Sequence, residues 1–459
     1  MQNQSKMPLV EQLDAHAQSC PISLHVPGHK GGAISPEVWQ KCLKWDVTEI
    51  TGMDDLHHAE EVILEAKLLL AECYGVKKSR FLVNGTSGGS LAVIMTTLRR
   101  GEKVLIPRDA HKSILHGIEL AGGEPIFLTP QLHQEIGTSN GVTPELVTEA
   151  LHNHPEVKLC IFTYPSYYGT TFNLQKCIQI AHQFGVIVFV DEAHGAHFLT
   201  SSEFPKSAVD LGADIVVQSA HKTLPALTMG SYLHIVHDLP IFDKLDYYLQ
   251  VFQSSSPSYL IMASLDAARK YVATYSDADI EAFWKMRAKW LKWLTKNKFE
   301  LILPDDPLKI IVRKPGYTGY ELQEIFEANS YFPELADEKQ LLLILPLIKK
   351  GMDFTPINRI YSPERKAVAT LPYEEGEPGT SKLALAYEKM HDHPTDFVLL
   401  DDAIGLISAE TISLYPPGIP TIIRGERLTE KHLPELTNLQ KHHYQGGEKL
   451  ATNYIRVFR

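Results

Sequence analysis

Asp214-Ile-Val-Val-Gln-Ser-Ala-His-Lys222 is the stretch from which the rest of the chain can be read. Ile215 to Val217 form a short apolar β-branched run, the signal of a buried strand. The polar Ser219-Ala-His-Lys222 leaves that strand at the edge where open α/β sheets gather their chemistry. A lysine there is ordinarily a solvated loop charge. A desolvated one sheds its proton more readily and becomes a nucleophile for carbonyl groups. The neighbouring sequence decides between the two.

Upstream, strand signals at 80–83, 103–106, 125–128, 158–163, 186–190 and 214–218, followed by 232–236, alternate with helical patterns at 91–100, 113–121, 144–152 and 174–184. Such alternation predicts a mainly parallel, seven-stranded sheet with helices on both faces. Ligand groups then collect at the carboxyl ends of the strands.

The totals set limits on function. A chain of 459 residues with 44% hydrophobic and 22% charged residues is globular and too long for one ordinary core. A net charge of -11 is the wrong sign for nonspecific nucleic-acid binding. Cys20, Cys42, Cys73, Cys160 and Cys177 are odd in number and scattered, which predicts a reducing compartment, the cytoplasm. No signal-peptide core opens the chain, and Leu341–Ile348 is too short to span a bilayer, so no membrane partner is expected.

Three more strand ends carry candidate chemistry. Asn84-Gly-Thr-Ser-Gly-Gly89 lies between a strand and a helix, where Thr86 or Ser87 can cap the helix and backbone N–H groups can meet an anion such as a phosphate. Taken alone, it also reads as an ordinary glycine-rich turn. Arg108-Asp-Ala-His-Lys-Ser113 places His111 at the same edge, where a flat imidazole could stack on an aromatic cofactor. In Val186-Ile-Val-Phe-Val-Asp-Glu-Ala-His194, Asp191 ends a strand and could hold the charge of a heterocyclic nitrogen. Asp-Glu-Ala-His also resembles a helicase-type magnesium box, but that chemistry needs a Gly-Lys phosphate loop and the chain contains no Gly-Lys dipeptide. His194 and His197 lack a third ligand at a recognisable spacing, so no metal site is expected.

The order of these motifs resembles that of fold type I pyridoxal-phosphate enzymes. Their wording is narrower. His25-Val-Pro-Gly-His-Lys-Gly-Gly32, Asn-Gly-Thr-Ser-Gly, Arg-Asp-Ala-His-Lys-Ser, Asp-Glu-Ala-His-Gly-Ala-His, Ser-Ala-His-Lys, Ala263-Ser-Leu-Asp-Ala-Ala-Arg269 and Tyr415-Pro-Pro-Gly-Ile-Pro420 together resemble the ornithine/lysine/arginine decarboxylase family. That resemblance implies pyridoxal 5'-phosphate as cofactor and decarboxylation of a basic amino acid to an amine, as in polyamine biosynthesis. It makes Lys222 the lysine that carries the cofactor as a Schiff base and Asp191 the partner of the pyridine nitrogen. It sets Ala193 beneath the ring, His111 above it, and His194 among the cofactor contacts. Thr86, Ser87, Gly88, Ser219 and His221 become the phosphate cup. Ser256 is similar to the position that reaches the phosphate from a neighbouring subunit, which implies a homodimer or a dimer-based tetramer. Large bacterial members carry an N-terminal wing for which this chain has no room, so a large ring is not expected.

Departures bear on substrate. Met229 stands where many relatives have glutamine, Arg424-Gly-Glu replaces Pro-Gly-Glu, and His58-Ala-Glu-Glu61 replaces a turn containing proline or glycine. The distal cation of a basic substrate needs a carboxylate, and Asp55, Asp402, Glu410 and Glu426 are candidates. The expected organisation is an arm over 1–59, a large cofactor domain over 60–276, a small α/β domain over 277–371, and a linker with the family's C-terminal domain over 372–459. Because this fold does not dictate which bond at Cα breaks, aminotransfer, aldol-type cleavage and an inactive cofactor-binding relative stand as alternatives.

Overall fold

The computed structural model describes residues 3–239, 241–357, 359–365, 379–414, 420–440 and 444–459. The Tyr415-Pro-Pro-Gly-Ile loop and residues 372–378, at the start of the expected linker, lie outside them.

Helices α1 (Pro8–Gln18), α2 (Glu37–Leu43) and α3 (Val62–Tyr74) lead into the expected alternation. It runs β1 (Lys78–Leu82), α4 (Gly85–Thr97), β2 (Lys103–Pro107), α5 (Lys112–Ala121), β3 (Glu124–Leu128), α6 (Pro144–Asn153), β4 (Leu159–Thr163), α7 (Leu174–Gln183), β5 (Ile187–Asp191), β6 (Ile215–Gln218), α8 (Ala220–Thr223) and β7 (Ser231–Ile235). Then come α9 (Phe242–Phe252), α10 (Tyr259–Ala273), α11 (Asp277–Lys296), β8 (Glu300–Ile302), β9 (Lys309–Arg313), α12 (Gly319–Ala328), β10 (Leu335–Ala336), β11 (Leu341–Ile344) and β12 (Thr380–Lys382).

The large sheet is mixed, in the order β1-β7-β6-β5-β4-β2-β3-β12. The seven expected strands are joined by an eighth, β12, which the sequence reading assigned to the linker region. It is three exposed polar residues long and runs antiparallel to β3, so it lacks the apolar run by which a strand announces itself. β2 is parallel to both β3 and β4, whereas β7 is antiparallel to both β1 and β6. The strands are buried nearly throughout, as a sheet covered on both faces requires.

The chain divides into two compact units, each assembled from separate segments. The first takes residues 1–93, 168–171 and 190–369, and the second takes 94–167, 172–189 and 370–459. In the first, α1 buries Leu9 and Leu13, and Asp266 and Arg269 of α10 secure the chain before it. Asp266 accepts the Leu9 N–H at 3.1 Å, and Arg269 donates to the carbonyls of Gln4 and Lys6. Ile22, Leu24, Val26, Ile34, Val38 and Trp39 then stand exposed. Asp54 gathers the N–H groups of Glu60, Glu61 and Ile63 on its carboxylate at 2.9–3.0 Å, fixing the start of α3. Burial would raise its pKa, but those donors outweigh it and hold the carboxyl below its ordinary value. A smaller antiparallel sheet, β10-β11-β9-β8, completes this unit. Thr318 caps α12 reciprocally with Glu321 in a capping box.

The second unit carries the strands from the first residues of β5 out to β12. Its C-terminal portion pairs Thr395–Leu399 with Tyr454–Phe458. Leu400, Ile412, Ile422, Leu436, Leu450 and Ile455 form its core. Arg108 donates to Glu426 at 2.7 Å and to the carbonyls of Pro420 and Thr421, tying the loop after β2 to the C-terminal segment.

Candidate active site

The first unit brings together most of the residues singled out from the sequence. α4 begins at Gly85, six residues earlier than its apolar pattern indicates, so Thr86 and Ser87 sit inside its first turn instead of capping it. Helix N-termini offer unsatisfied N–H groups and a positive dipole end. Thr86 Oγ1 lies 3.1 Å from Ser219 Oγ, so two hydroxyls from different elements converge beside that turn. A Cβ on Gly89 would stand 2.6 Å from Leu82 Cδ1 and 3.3 Å from Val217 Cγ1, so any larger residue there would have to push those side chains aside for α4 to settle this closely. The Met229 carbonyl receives the Gly85 N–H at 3.0 Å and fixes the turn from behind.

The loop after β5 is held residue by residue. Asp191 is buried, and its Oδ1 accepts the Ala193 N–H at 3.2 Å. Glu192, fully buried, accepts from Ser207 Oγ, the Ala208 N–H and Gln218 Nε2. The Ser219 N–H donates to the Ala193 carbonyl, and Tyr74 Oη donates to that of Ala196 at 2.8 Å. His197, instead of facing a metal, donates from Nε2 to Asp306 Oδ1 at 3.0 Å with both side chains fully buried. Among the described residues no group of three or more His, Cys, Asp or Glu could hold a metal ion.

Lys222 Nζ lies 3.1 Å from His194 Nε2. Lys222 keeps open surface, yet its amine end is crowded enough that desolvation lowers its pKa, against the pull of Asp191 and Glu334. His194 is driven well below the ordinary histidine value by burial first and then by the charge of Lys222 and Lys309. A neutral imidazole accepting from a lysine is the result. His221 Nδ1 is 3.0 Å from the Gly230 carbonyl, which orients its ring.

Ser256 is exposed in the segment after Gln253, whose Oε1 accepts the Val83 N–H. His111, in the second unit, is the N-cap of α5, with Nδ1 accepting the Ser113 N–H at 3.2 Å. Of the carboxylates considered for a distal cation, Glu426 is engaged by Arg108, and Glu410 accepts the N–H groups of Arg456 and Glu448. The sequence reading missed Asp306 and Lys309. Both are fully buried beside the loop after β5, and the partner of Asp306 lies 109 residues away along the chain. No local spacing could reveal that pairing.

The donor set fits pyridoxal phosphate: a helix N-terminus with two hydroxyls for the phosphate, a lowered-pKa lysine for the carbonyl carbon, and a buried carboxylate for the ring nitrogen. The fold is that of the fold type I pyridoxal-phosphate enzymes.

Comparison with known proteins narrows the class. Sequence models of the Orn/Lys/Arg decarboxylase major domain and C-terminal domain match residues 7–282 and 370–445. The chain is 41% identical to the uncharacterized protein YaaO of Bacillus subtilis, over 98% of each chain. It is 34% identical to a protein of Halalkalibacterium halodurans named arginine decarboxylase, over 100% of this chain and 99% of that one. The constitutive lysine decarboxylase of Escherichia coli shares the fold, with a TM-score of 0.80 at 17% identity over 99% of this chain and 82% of that one. The chain belongs to the Orn/Lys/Arg decarboxylase family and is a pyridoxal-phosphate-dependent amino-acid decarboxylase.

Proposed function

We propose that the protein decarboxylates a basic amino acid to its amine, with arginine the first candidate ahead of lysine and ornithine. The observation that carries this reading is the Lys222–His194 contact beside the α4 turn, in a chain whose full-length relative in Halalkalibacterium halodurans is named an arginine decarboxylase. Thr86, Ser87, Gly88, Ser219 and His221 would hold the cofactor phosphate, with Ser256 of a second copy completing the cup in a homodimer. Asp191 would keep a proton on the ring nitrogen, Ala193 and His111 would sandwich the ring, and His194 would steady its edge. When bound, pyridoxal phosphate supplies the electron sink for the Cα–carboxylate bond.

The chain's own residues account for the rest. Desolvation favours the unprotonated Lys222 amine, which needs its lone pair to react at a carbonyl. Loss of carbon dioxide leaves Cα one proton short, so the site must deliver one. The Lys222–His194 pair can hold that proton at Nζ and hand it on, because a lowered-pKa ammonium is a better acid than an ordinary lysine. The amine product fits a role in polyamine formation inside the cytoplasm.

The test is to incubate the purified protein with arginine, lysine and ornithine in turn, following carbon dioxide and the corresponding amine. Arginine is expected to give both. Absence of amine from all three would overturn the proposal.

A further inference from the structure

Ser256 stands on a short projection that is held from outside. Gln253 and Pro257 are buried, and the three serines between them, Ser254, Ser255 and Ser256, are exposed. The root of the projection is fastened to the turn that opens α4: the Val83 N–H donates to Gln253 Oε1 at 2.8 Å, and Asn84 Nδ2 donates to the Phe252 carbonyl at 3.0 Å. Its far end enters α10, where Ser258 Oγ accepts the Ile261 N–H. Between these anchors, His57 Nε2 lies 2.9 Å from the Ser254 carbonyl. A carbonyl only accepts, so the imidazole donates from Nε2. Ser254 Oγ in turn accepts the Ser256 N–H at 3.2 Å. His57 is itself firmly presented. Asp55 Oδ1 accepts its N–H at 2.8 Å, buried Lys67 donates from Nζ to the Leu56 carbonyl at 2.6 Å, and Tyr259 Oη donates to the Asp54 carbonyl.

We propose that His57 is a positioning residue for the cofactor: by holding the Ser254 carbonyl, it sets Ser256 where it completes the phosphate cup of a second copy. The inference rests on Ser256 having that role. A segment that must be ordered as it docks gives up affinity to lost conformational freedom, and one already held in place does not. The His57–Ser254 hydrogen bond is exposed, so water can replace it and it adds little to the stability of the fold. What it fixes is the place of the projection. Asn84 and Val83 hold only the root, beside the chain's own α4 turn, whereas His57 acts two residues from Ser256.

The test is a double-mutant cycle on the full-length protein, with the dissociation constants of pyridoxal 5'-phosphate and of pyridoxal measured by equilibrium dialysis. Ser256→Ala should weaken the phosphate form about tenfold and leave pyridoxal unchanged, since Ser256 meets only the phosphate. His57→Ala should weaken the phosphate form about fivefold, again without effect on pyridoxal, and should add nothing once Ser256 is alanine. His57→Gln, whose amide can donate to the same carbonyl, should bind both compounds as the unsubstituted protein does. His57→Leu takes the place of alanine should that variant fail to fold. An unchanged affinity in His57→Ala, an equal loss for pyridoxal, full additivity with Ser256→Ala, or a fall from dimer to monomer mass in sedimentation would each overturn the inference. A Ser256→Ala protein that holds the phosphate form normally would remove the role of Ser256 itself, and the inference with it. Because no turnover is measured, every one of these results is distinct from failure of the substrate panel.

Discussion

The carbonyl of Met229 holds the N–H of Gly85 at 3.0 Å, so the first turn of α4 is positioned by a residue whose own backbone is strained. Met229 sits at φ +76°, a left-handed conformation that costs an ordinary side chain about 1–2 kcal/mol. Met229→Gln should leave both stability and cofactor retention unchanged, since glutamine meets the same backbone demand. Met229→Val adds β-branching at positive φ and should cost about 1–2 kcal/mol while weakening cofactor retention. Urea denaturation and equilibrium dialysis of the cofactor check both.

Lys222→Ala should abolish the visible absorbance of the bound cofactor, and borohydride treatment of the unsubstituted protein should fix a pyridoxyl group on the peptide containing Lys222. His194→Ala removes the acceptor 3.1 Å from Nζ and should keep the absorbance while lowering turnover about a hundredfold. A reducible lysine linkage surviving in Lys222→Ala would place the nucleophile elsewhere.

Asp266 and Arg269 form a fully buried pair at 2.6 Å. Removing one partner strands the other charge away from water, so Asp266→Ala should destabilise the fold by about 3–5 kcal/mol. The paired change Asp266→Leu with Arg269→Met should cost much less. Denaturant midpoints of the three proteins decide it.

His234 is fully buried, with Nδ1 2.8 Å from Ser79 Oγ and Nε2 3.1 Å from Gln218 Oε1. Burial alone lowers its pKa to about 3. For a base whose folded pKa is depressed, the stability contribution is full above its unfolded value of about 6.5 and is lost as pH falls toward the folded one. His234→Gln, which can serve both neighbours, should therefore reduce the stability lost between about pH 6.5 and about pH 5 by roughly 2 kcal/mol. Urea titrations at several pH values measure the difference.

The convergence of the strand ends is legible in the sequence because their residues sit within short motifs that follow apolar runs. Asp191, Ser219, His221 and Lys222 each follow an apolar run that marks its own strand. The missed features depend on distance along the chain. His197 declares itself as a histidine, but nothing near it points to Asp306. β12 escaped because three exposed polar residues become a strand only through the edge offered by β3. The sequence presents His111 as a ring that could stack on a cofactor; that its Nδ1 also caps α5 follows from a backbone angle that no residue type specifies.

That late-arriving β12 has a consequence for biosynthesis. Its partner β3 is synthesised about 250 residues earlier, and until Thr380 emerges from the ribosome the Ile126–Leu128 edge has bare amide and carbonyl groups. The nascent chain is thus most exposed to mispairing late in its own translation, and slowed elongation beyond residue 370 should raise its demand for chaperones more than an equal delay within the first hundred codons.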